Sequence, residues 1–367
     1  MDQDREYTMN IQELFPADEL ARRREHWAQF WRNDADVRTI IAPQSGIRYT
    51  NTLDKDEARR EFIRHIEVEA SLGYDTLPAF KCVLGTPALA SAFGGTWHRD
   101  EGGMFWIDPI IEKPEDVYRL TLPPAMSGLV KESVDIYRYV AADIGCIPPR
   151  VPDMQGPLNT ASMLWRQEDF IIAMYDNPKE VHHLLSLVTD YIISVFHYFR
   201  DNFENAELVS WPNLHMPEEY GVGIIEDFTE LLSPELYREF GLPYVNRIAR
   251  EFNGVFIHCC ARFKQHYDAF AEIYNLRGLD TMYPFTEPAV IAERFPGIVH
   301  TMGAHAPAHQ QEFGGSSRSF VRFISERIPQ SSRMVFMPYD SADTLDESLI
   351  DTICECRMPM RVSAMCV

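Results

Sequence analysis

The sequence predicts an α/β fold, a (β/α)8 TIM barrel that follows a helical N-terminal extension. Short apolar runs rich in β-branched and aromatic residues alternate with longer amphipathic stretches, a pattern typical of parallel strands joined by helices. The chain has 367 residues, which is enough for one such barrel. Eight runs, the number that a closed barrel needs, are predicted to be strands: 37–42, 74–80, 150–155, 207–211, 255–259, 278–283, 298–302 and 334–337.

Start and stop signals support the helices between these strands. The run Asn-Pro-Lys-Glu at 177–180 combines an N-cap residue, a proline at the first helical position and a capping-box acid, and it begins an amphipathic helix that reaches Phe199. The run Ser-Pro-Glu at 233–235 repeats the signal. Another helix is predicted over 55–72, with Gly73 as its stop.

Two further segments complete the predicted organisation. Residues 1–36, rich in Arg, Glu and Trp, predict the helical extension. Residues 93–106 carry two glycine pairs around polar and aromatic side chains, which indicates a hairpin or lid inserted after the second strand. No linker, low-complexity segment or short internal repeat interrupts the chain, so 1–367 is predicted to be a single domain.

Composition narrows the classes of partner. With 34 basic and 55 acidic residues the net charge is −21, which disfavours binding of nucleic acid or anionic membranes. A small-molecule substrate or a protein partner is therefore expected, and a homo-oligomer is compatible with the sequence. The first ten residues do not resemble a secretory signal, so we expect a cytoplasmic protein. Seven cysteines, two of them adjacent, do not resemble a disulfide framework and favour reduced thiols.

The fifth predicted strand carries the most informative chemistry. It ends in His258, Cys259 and Cys260. Because side chains alternate along a strand, His258 and Cys260 are expected on one face and Cys259 on the other. An imidazole and a thiolate are ligands that zinc accepts, although a buried cysteine beside a structural histidine is an ordinary alternative.

Polar and aromatic side chains at the other strand ends indicate a pocket for a polar organic substrate. The candidates for proton handling are Asp153, His215 and His305. The candidate substrate-binding residues lie near strand ends or in the predicted lid: Gln155, Asn159, Trp97, His98, Trp211, Tyr283 and Tyr339. Each is also compatible with a structural cap, a loop anchor or barrel packing.

Several motifs, in their order and spacing, resemble the uroporphyrinogen decarboxylase superfamily. They are Gln-Gly-Pro-Leu-Asn-Thr-Ala at 155–161, Ala-Met-Tyr-Asp-Asn-Pro at 173–178, the segment 226–235 from Glu-Asp to Leu-Leu-Ser-Pro-Glu, Pro-Tyr at 243–244, and His-Cys-Cys at 258–260. The resemblance covers about residues 74–350 and implies a (β/α)8 barrel, in agreement with the strand count.

Within this superfamily the sequence departs from uroporphyrinogen decarboxylase itself. That branch has an Arg-rich opening that binds the porphyrinogen carboxylates and a Gly-His-Gly near the last strand, and neither is present. The pattern His258-x-Cys260 instead resembles the cobamide-dependent methyltransferase branch, in which His-x-Cys and a later Cys hold a zinc that binds the acceptor thiol. Tyr339 and Asp340 stand where the later Cys is expected. The resemblance therefore implies zinc at His258 and Cys260, with Asp340 as the candidate third ligand.

Three functions follow from these observations. The first is a zinc-dependent methyltransferase that moves a methyl group between a corrinoid or other methyl donor and a small acceptor. No corrinoid-binding domain is recognised in the sequence, so the corrinoid is expected on a partner protein. The second is a metal-free decarboxylase, a lyase acting on a smaller carboxylated substrate. The third is a binding protein that keeps the barrel without catalysis. The substrate, the methyl donor and the third ligand stay open.

Overall fold

A parallel sheet of six strands, in the order β1-β8-β7-β6-β5-β4, is the centre of the fold. The computed structural model describes residues 11–34, 36–43, 50–145, 147–338 and 347–358. The strands of the sheet are β1 (Thr39–Ile41), β4 (Val222–Ile225), β5 (Val255–Cys259), β6 (Leu276–Tyr283), β7 (Val299–Ala304) and β8 (Arg333–Phe336). Two more strands, β2 (Trp97–Arg99) and β3 (Phe105–Ile107), form an antiparallel hairpin, which confirms the predicted insertion after 74–80.

Helices alternate with the strands along the chain. They are α1 (Ile11–Leu14), α2 (Ala17–Trp31), α3 (Lys55–Leu72), α4 (Gly128–Ile144), α5 (Pro157–Leu164), α6 (Gln167–Asp176), α7 (Pro178–Asn202), α8 (Pro234–Phe240), α9 (Leu242–Glu251), α10 (Tyr267–Phe270), α11 (Pro288–Arg294), α12 (Ala306–Phe313), α13 (Ser317–Arg327) and α14 (Glu347–Arg357). Among the described residues, no helix is long and apolar enough to cross a membrane.

Extended segments lie between the edge strands β1 and β4. Bridges join Phe80 to Pro149, Arg150 to Glu207 and Gln155 to Ile225. Backbone hydrogen bonds of 2.9 and 2.8 Å attach these segments to β1, through Asp75 N and Ile41 O, and to β4, through Gly223 N and Leu208 O. The α/β barrel prediction is confirmed, with six regular strands and irregular pairing where 74–80, 150–155 and 207–211 were predicted as strands.

The position of the fourth strand was wrong in the sequence prediction. Segment 207–211 takes part only in an isolated bridge, from Glu207 to Arg150, and does not form a regular strand. The strand that pairs with β5 is Val222–Ile225. A glycine within a four-residue apolar run is a weak strand signal. Gly223 is needed because a Cβ there would lie 2.6 Å from Cγ1 of Val209, so the fold uses it for close packing.

The predicted helix starts and the stop at Gly73 are confirmed. Helix α3 begins after Asp54, whose side chain accepts a hydrogen bond from Glu57 N at 2.8 Å, and it ends at Gly73 with φ 70°. The Ser233 side chain accepts from Leu236 N at the start of α8. Asn177 precedes α7, but its side chain makes no capping hydrogen bond.

The N-terminal extension packs against an apolar cluster in the barrel. Trp27, Phe30 and Trp31 of α2 are buried together with alternate strand residues, including Phe256 and Val335. We call the whole cluster the barrel floor: Trp27, Phe30, Trp31, Val37, Ile40, Ala42, Val209, Leu214, Met216, Phe256, Val299 and Val335. The two Trp indoles also donate hydrogen bonds, to Asp75 O at 2.7 Å and to His215 O at 2.8 Å. The extension is therefore part of the folded core.

Truncating Trp27 is predicted to destabilise the whole barrel. Trp27→Ala removes a 1% exposed indole and its hydrogen bond, so we expect the free energy of unfolding to fall by about 3–5 kcal/mol in urea titrations. Trp106→Ala, on the hairpin and 45% exposed, is the control and should change it by under about 0.5 kcal/mol. Equal losses in the two variants would contradict the role of α2 in the core.

Burial of His300 predicts a loss of stability in acid. Burial lowers the pKa of His300 to about 4, aided by the charges of Arg333 and Arg357. The unfolded chain takes up this proton near its ordinary value of about 6.5, so stability, of order 3 kcal/mol, is lost as the pH falls from there towards 4. Urea unfolding between pH 7.5 and 4.5 measures how the free energy of unfolding changes with pH. His300→Gln should reduce this change, whereas substitution of the exposed His183 by Gln should leave it as it is in the unmodified protein.

Candidate metal centre

The end of β5 presents His258 and Cys260 on the same side of the sheet. Phe256, two residues before His258, belongs to the barrel floor, whereas Ile257 and Cys259 pack in the cluster formed with the outer helices. The alternation therefore directs His258 and Cys260 to the interior, above the floor, and Cys259 outwards. The predicted orientation of these three residues is confirmed.

Asp227 joins His258 and Cys260 in one cluster. A carboxylate oxygen of Asp227, a ring nitrogen of His258 and the Cys260 Sγ all lie within 4.8 Å of one another, the only such group of three among the described residues. Asp227 follows β4, which pairs with β5 so that Ile225 lies opposite His258. The Cys260 N–H donates to Asp227 Oδ1 at 2.8 Å and fixes the carboxylate. Oxygen, nitrogen and sulfur from three side chains match a catalytic zinc site, which keeps a position open.

A chain of polar side chains across three strands orients the His258 ring. His258 Nδ1 lies 2.6 Å from Asp280 Oδ2, and Asp280 Oδ1 accepts a hydrogen bond from Thr301. His258, Asp280 and Thr301 occupy paired positions on β5, β6 and β7. Because Asp280 engages Nδ1, Nε2 is the nitrogen left for a metal. A carboxylate behind a ligating histidine is the usual support of such sites.

Burial and neighbouring charges shift the ionisation of several groups here. Burial alone lowers the pKa of His258, but hydrogen bonds to Asp280 and Cys260 outweigh it and hold the pKa well above its usual value. Burial raises the pKa of the Cys259 thiol well above its usual range. Burial, with the charge of Asp227, also raises the pKa of Glu226 to about 8, and neither carboxyl oxygen of Glu226 has a hydrogen-bond partner. Cys259 and Glu226 are therefore expected to be neutral at pH 7.

Asp153 and Lys81 add a buried acid and a buried base to this part of the interior. Burial raises the pKa of Asp153, while a hydrogen bond from Gln155 and the positive charges of Lys81 and His258 oppose the rise. Lys81 Nζ lies 2.7 Å from Asn213 Oδ1 and 3.4 Å from the centre of the Trp211 ring. Lys81 therefore lies against the predicted residue Trp211, and its charge lowers the pKa of the predicted residue Asp153.

Two other predicted residues lie in a buried hydrogen-bond chain. Asn159 Nδ2 donates to Gln155 Oε1 at 2.6 Å, and Gln155 Nε2 donates to Asp153 Oδ1 at 2.8 Å. Both amides are under 7% exposed. Their amide groups form hydrogen bonds with protein partners, and their predicted role in binding substrate stays a prediction.

The remaining predicted residues do not join the cluster. His215 pairs with Glu207 at 2.9 Å and lines a cavity beside Trp27, and no residue of that cavity is Asp227, His258 or Cys260. Tyr283 packs in an outer cluster and donates to Glu312 at 2.5 Å.

His305 and the lid residues lie on exposed elements. His305 precedes α12, and its ring lies 5.2 Å from that of Phe285. On the hairpin, Trp97 is 37% exposed and His98 stacks on Trp106 at 5.2 Å. The predicted residues Tyr339 and Asp340 lie outside the described residues.

Sequence reasoning missed Asp227, Asp280 and Lys81. The motif at 226–235 includes Asp227, but a fourth strand predicted at 207–211 puts this residue far from any strand end. Recognising Val222–Ile225 as a strand would have put Asp227 at a strand end, where ligands are sought. Asp280 lies within β6, and only the pairing of β5 with β6 shows that it faces His258.

Comparison with known proteins agrees with this architecture. The profile of the family described as Uroporphyrinogen decarboxylase (URO-D) matches residues 66–304, well over half of the chain. The chain belongs to the uroporphyrinogen decarboxylase family. A solved structure, a methyltransferase from Methanosarcina mazei, aligns with a TM-score of 0.61 at 12% identity, covering 91% of this chain and 98% of its own. At this identity the likeness concerns the fold. No curated protein compared with the chain matches it.

The orientation of the β5 thiols predicts a difference in reactivity. Cys260 is partly exposed, whereas Cys259 and Cys82 are buried, and burial raises the pKa of Cys82 to about 12. Alkylation needs an accessible thiolate, so iodoacetamide should label Cys260 at least about tenfold faster than either buried thiol. Peptide mass spectrometry of native protein, with Cys259→Ala and Cys260→Ala to separate the neighbours, measures this. Preferential labelling of Cys259 would contradict the orientation of β5.

Proposed function

We propose that this protein is a zinc-dependent methyltransferase of the uroporphyrinogen decarboxylase superfamily, moving a methyl group between a corrinoid or other methyl donor and a small acceptor. The observation that carries the proposal is the convergence of Asp227, His258 and Cys260, with Asp280 behind the histidine. The fold likeness to a methyltransferase is consistent with it. The barrel interior above the floor is the expected place for the small acceptor.

The donor set fits the chemistry of thiol alkylation. When bound there, zinc would keep an acceptor thiol deprotonated at neutral pH, so that its sulfur is nucleophilic. Asp280 holds the ring of His258, and the Cys260 N–H holds the carboxylate of Asp227. The acceptor is expected to contact buried Lys81 and partly exposed Trp211, whose ring lies under the Lys81 ammonium group. We keep Asp340 as a further ligand and Tyr339 as a substrate contact in the proposal.

The methyl donor is proposed to be a corrinoid carried by a partner protein. The hairpin of β2 and β3, with exposed Trp97 and Trp106, follows the segment that contains Lys81. We propose that it covers the acceptor, with His98 and Trp97 as contacts. His305, on an exposed loop beside Phe285, is proposed to handle protons at the entrance.

A metal-free decarboxylase is the second candidate, and Asp153 is the observation that favours it. A buried carboxyl with a raised pKa beside Lys81 is suited to deliver a proton to the carbon that loses CO2. The family match to uroporphyrinogen decarboxylase points the same way. This activity would survive removal of metal by a chelator.

Zinc content separates the two candidates. Elemental mass spectrometry of protein purified without affinity metal should find about one zinc per chain, by the ligand count of a single site. The zinc should be absent from the His258→Ala, Cys260→Ala double variant and strongly reduced in Asp227→Ala, but kept in Cys259→Ala, whose thiol faces away. Asp340→Ala tests the further ligand. No zinc in unmodified protein after anaerobic supplementation would end the methyltransferase proposal.

Asp280→Asn is predicted to weaken zinc binding without removing a ligand. The amide is isosteric, but it no longer offers His258 a charged acceptor, so affinity should fall about 10–100-fold in competition with a chromophoric chelator. Asp268→Asn, an exposed carboxylate on α10, is the control. Unchanged affinity in Asp280→Asn would show that this carboxylate does not support the site.

A further inference from the structure

The motif Gln-Gly-Pro-Leu-Asn at 155–159 contains none of the proposed zinc ligands, so its role in the site needs a separate explanation. We infer that Asn159 and Gln155 are positioning residues: a one-directional hydrogen-bond chain through their amides clamps the turn that carries Asp227 and connects it to Asp153. This inference rests on the proposed function, in which Asp227 is a zinc ligand.

The chain has three hydrogen bonds between buried groups. Phe228 N donates to Asn159 Oδ1 at 2.9 Å, Asn159 Nδ2 donates to Gln155 Oε1 at 2.6 Å, and Gln155 Nε2 donates to Asp153 Oδ1 at 2.8 Å. The side chains of Asp153, Gln155 and Asn159 belong to residues that are 5%, 4% and 6% exposed. Water therefore competes little for these groups.

The direction of the chain follows from one backbone group. The Phe228 N–H can only donate, so Asn159 must present its oxygen to it and its NH2 to Gln155. Gln155 then presents its oxygen to Asn159 and its NH2 to Asp153. Asp153 Oδ1 is thereby kept as an acceptor, and a proton on this carboxyl belongs on Oδ2.

The local sequence places Asn159 where the chain needs it. Gly156 N donates to Ile225 O at 2.7 Å, which brings the first turn of α5 against the end of β4. A Cβ at Gly156 would lie 1.9 Å from Glu226 Oε1, so another residue there would separate the two elements. Pro157 begins α5 at a position where no N–H is needed, and Asn159 lies in the same turn.

Asp227 is consequently held from two sides. Its carboxylate accepts from Cys260 N, and the next residue, Phe228, is bonded to Asn159. Removing the Asn159 amide leaves a buried Phe228 N–H without its acceptor, a cost that the turn avoids by moving. Such a movement displaces Asp227 from His258 and Cys260.

Two substitutions at Asn159 test the clamp against a control in the same helix. Asn159→Ala removes the acceptor, Asn159→Asp keeps an oxygen for Phe228, and Ser162→Ala removes a hydroxyl that donates to the Asn159 carbonyl at 2.8 Å. Hydrogen exchange of the metal-free full chain, with fragmentation that resolves the Phe228 amide, is the first readout. Zinc affinity in chelator competition is the second.

We expect Asn159→Ala to speed exchange at Phe228 by about tenfold or more and to weaken zinc binding by about 10–100-fold. Asn159→Asp should keep both within about threefold of the unmodified protein, as should Ser162→Ala. Unchanged exchange in Asn159→Ala, or equal loss of zinc affinity in Asn159→Asp, would overturn the clamp. Hydrogen exchange at Phe228 is measured on metal-free protein. If the unmodified protein binds no zinc, the proposed function is contradicted, but the exchange measurement still tests the clamp.

The connection to Asp153 is tested at the other end of the chain. Asp153→Asn still offers an oxygen to Gln155 Nε2, whereas Asp153→Leu leaves that NH2 buried without an acceptor. Exchange at Phe228 should be unchanged in Asp153→Asn and faster in Asp153→Leu, with circular dichroism confirming that both variants fold. Equal exchange in the two variants would confine the clamp to Asn159 and overturn its extension to Asp153.

Discussion

The parallel register of β5, β6 and β7 is the constraint on which the candidate centre depends. It places His258, Asp280 and Thr301 at paired positions on neighbouring strands, so each side chain meets the next within hydrogen-bond distance. A shift of one residue would turn each of these side chains to the opposite face. The ring orientation of His258, and with it the nitrogen offered to a metal, is thus a property of strand pairing.

The apolar barrel floor keeps this register in place. Phe256 and Val299 lie on the same faces of β5 and β7 as His258 and Thr301, two residues closer to the start of each strand. Helix α2 packs its indoles against this layer from the N-terminal extension. The barrel interior therefore has an apolar layer, the barrel floor, and above it a polar layer that contains His258 and Thr301. Disruption of the floor would shift the polar side chains above it.

Much of the architecture was predictable because it depends on local patterns. The bounds of β5 and α3, the start signals of α7 and α8, and the hairpin follow from periodicity and capping residues close in sequence. Strand β4 was missed because Gly223 is explained only by its contact with Val209 from another segment. Because Asp227 directly follows that strand, the sequence prediction did not include it among the metal ligands.

The sequence by itself determined the barrel class, the superfamily, and the placement of His258 and Cys260 on one face, because alternation along a strand needs no distant partner. The tertiary structure decided that Asp227 is the carboxylate beside them, that Asp280 supports the histidine, and that Gln155 and Asn159 bond to protein groups. The contact of Asp280 with His258 joins residues 22 positions apart in the chain, and that of Asn159 with Phe228 joins residues 69 positions apart. Their distances are set by strand register and by the approach of α5 to β4, which a local pattern does not encode.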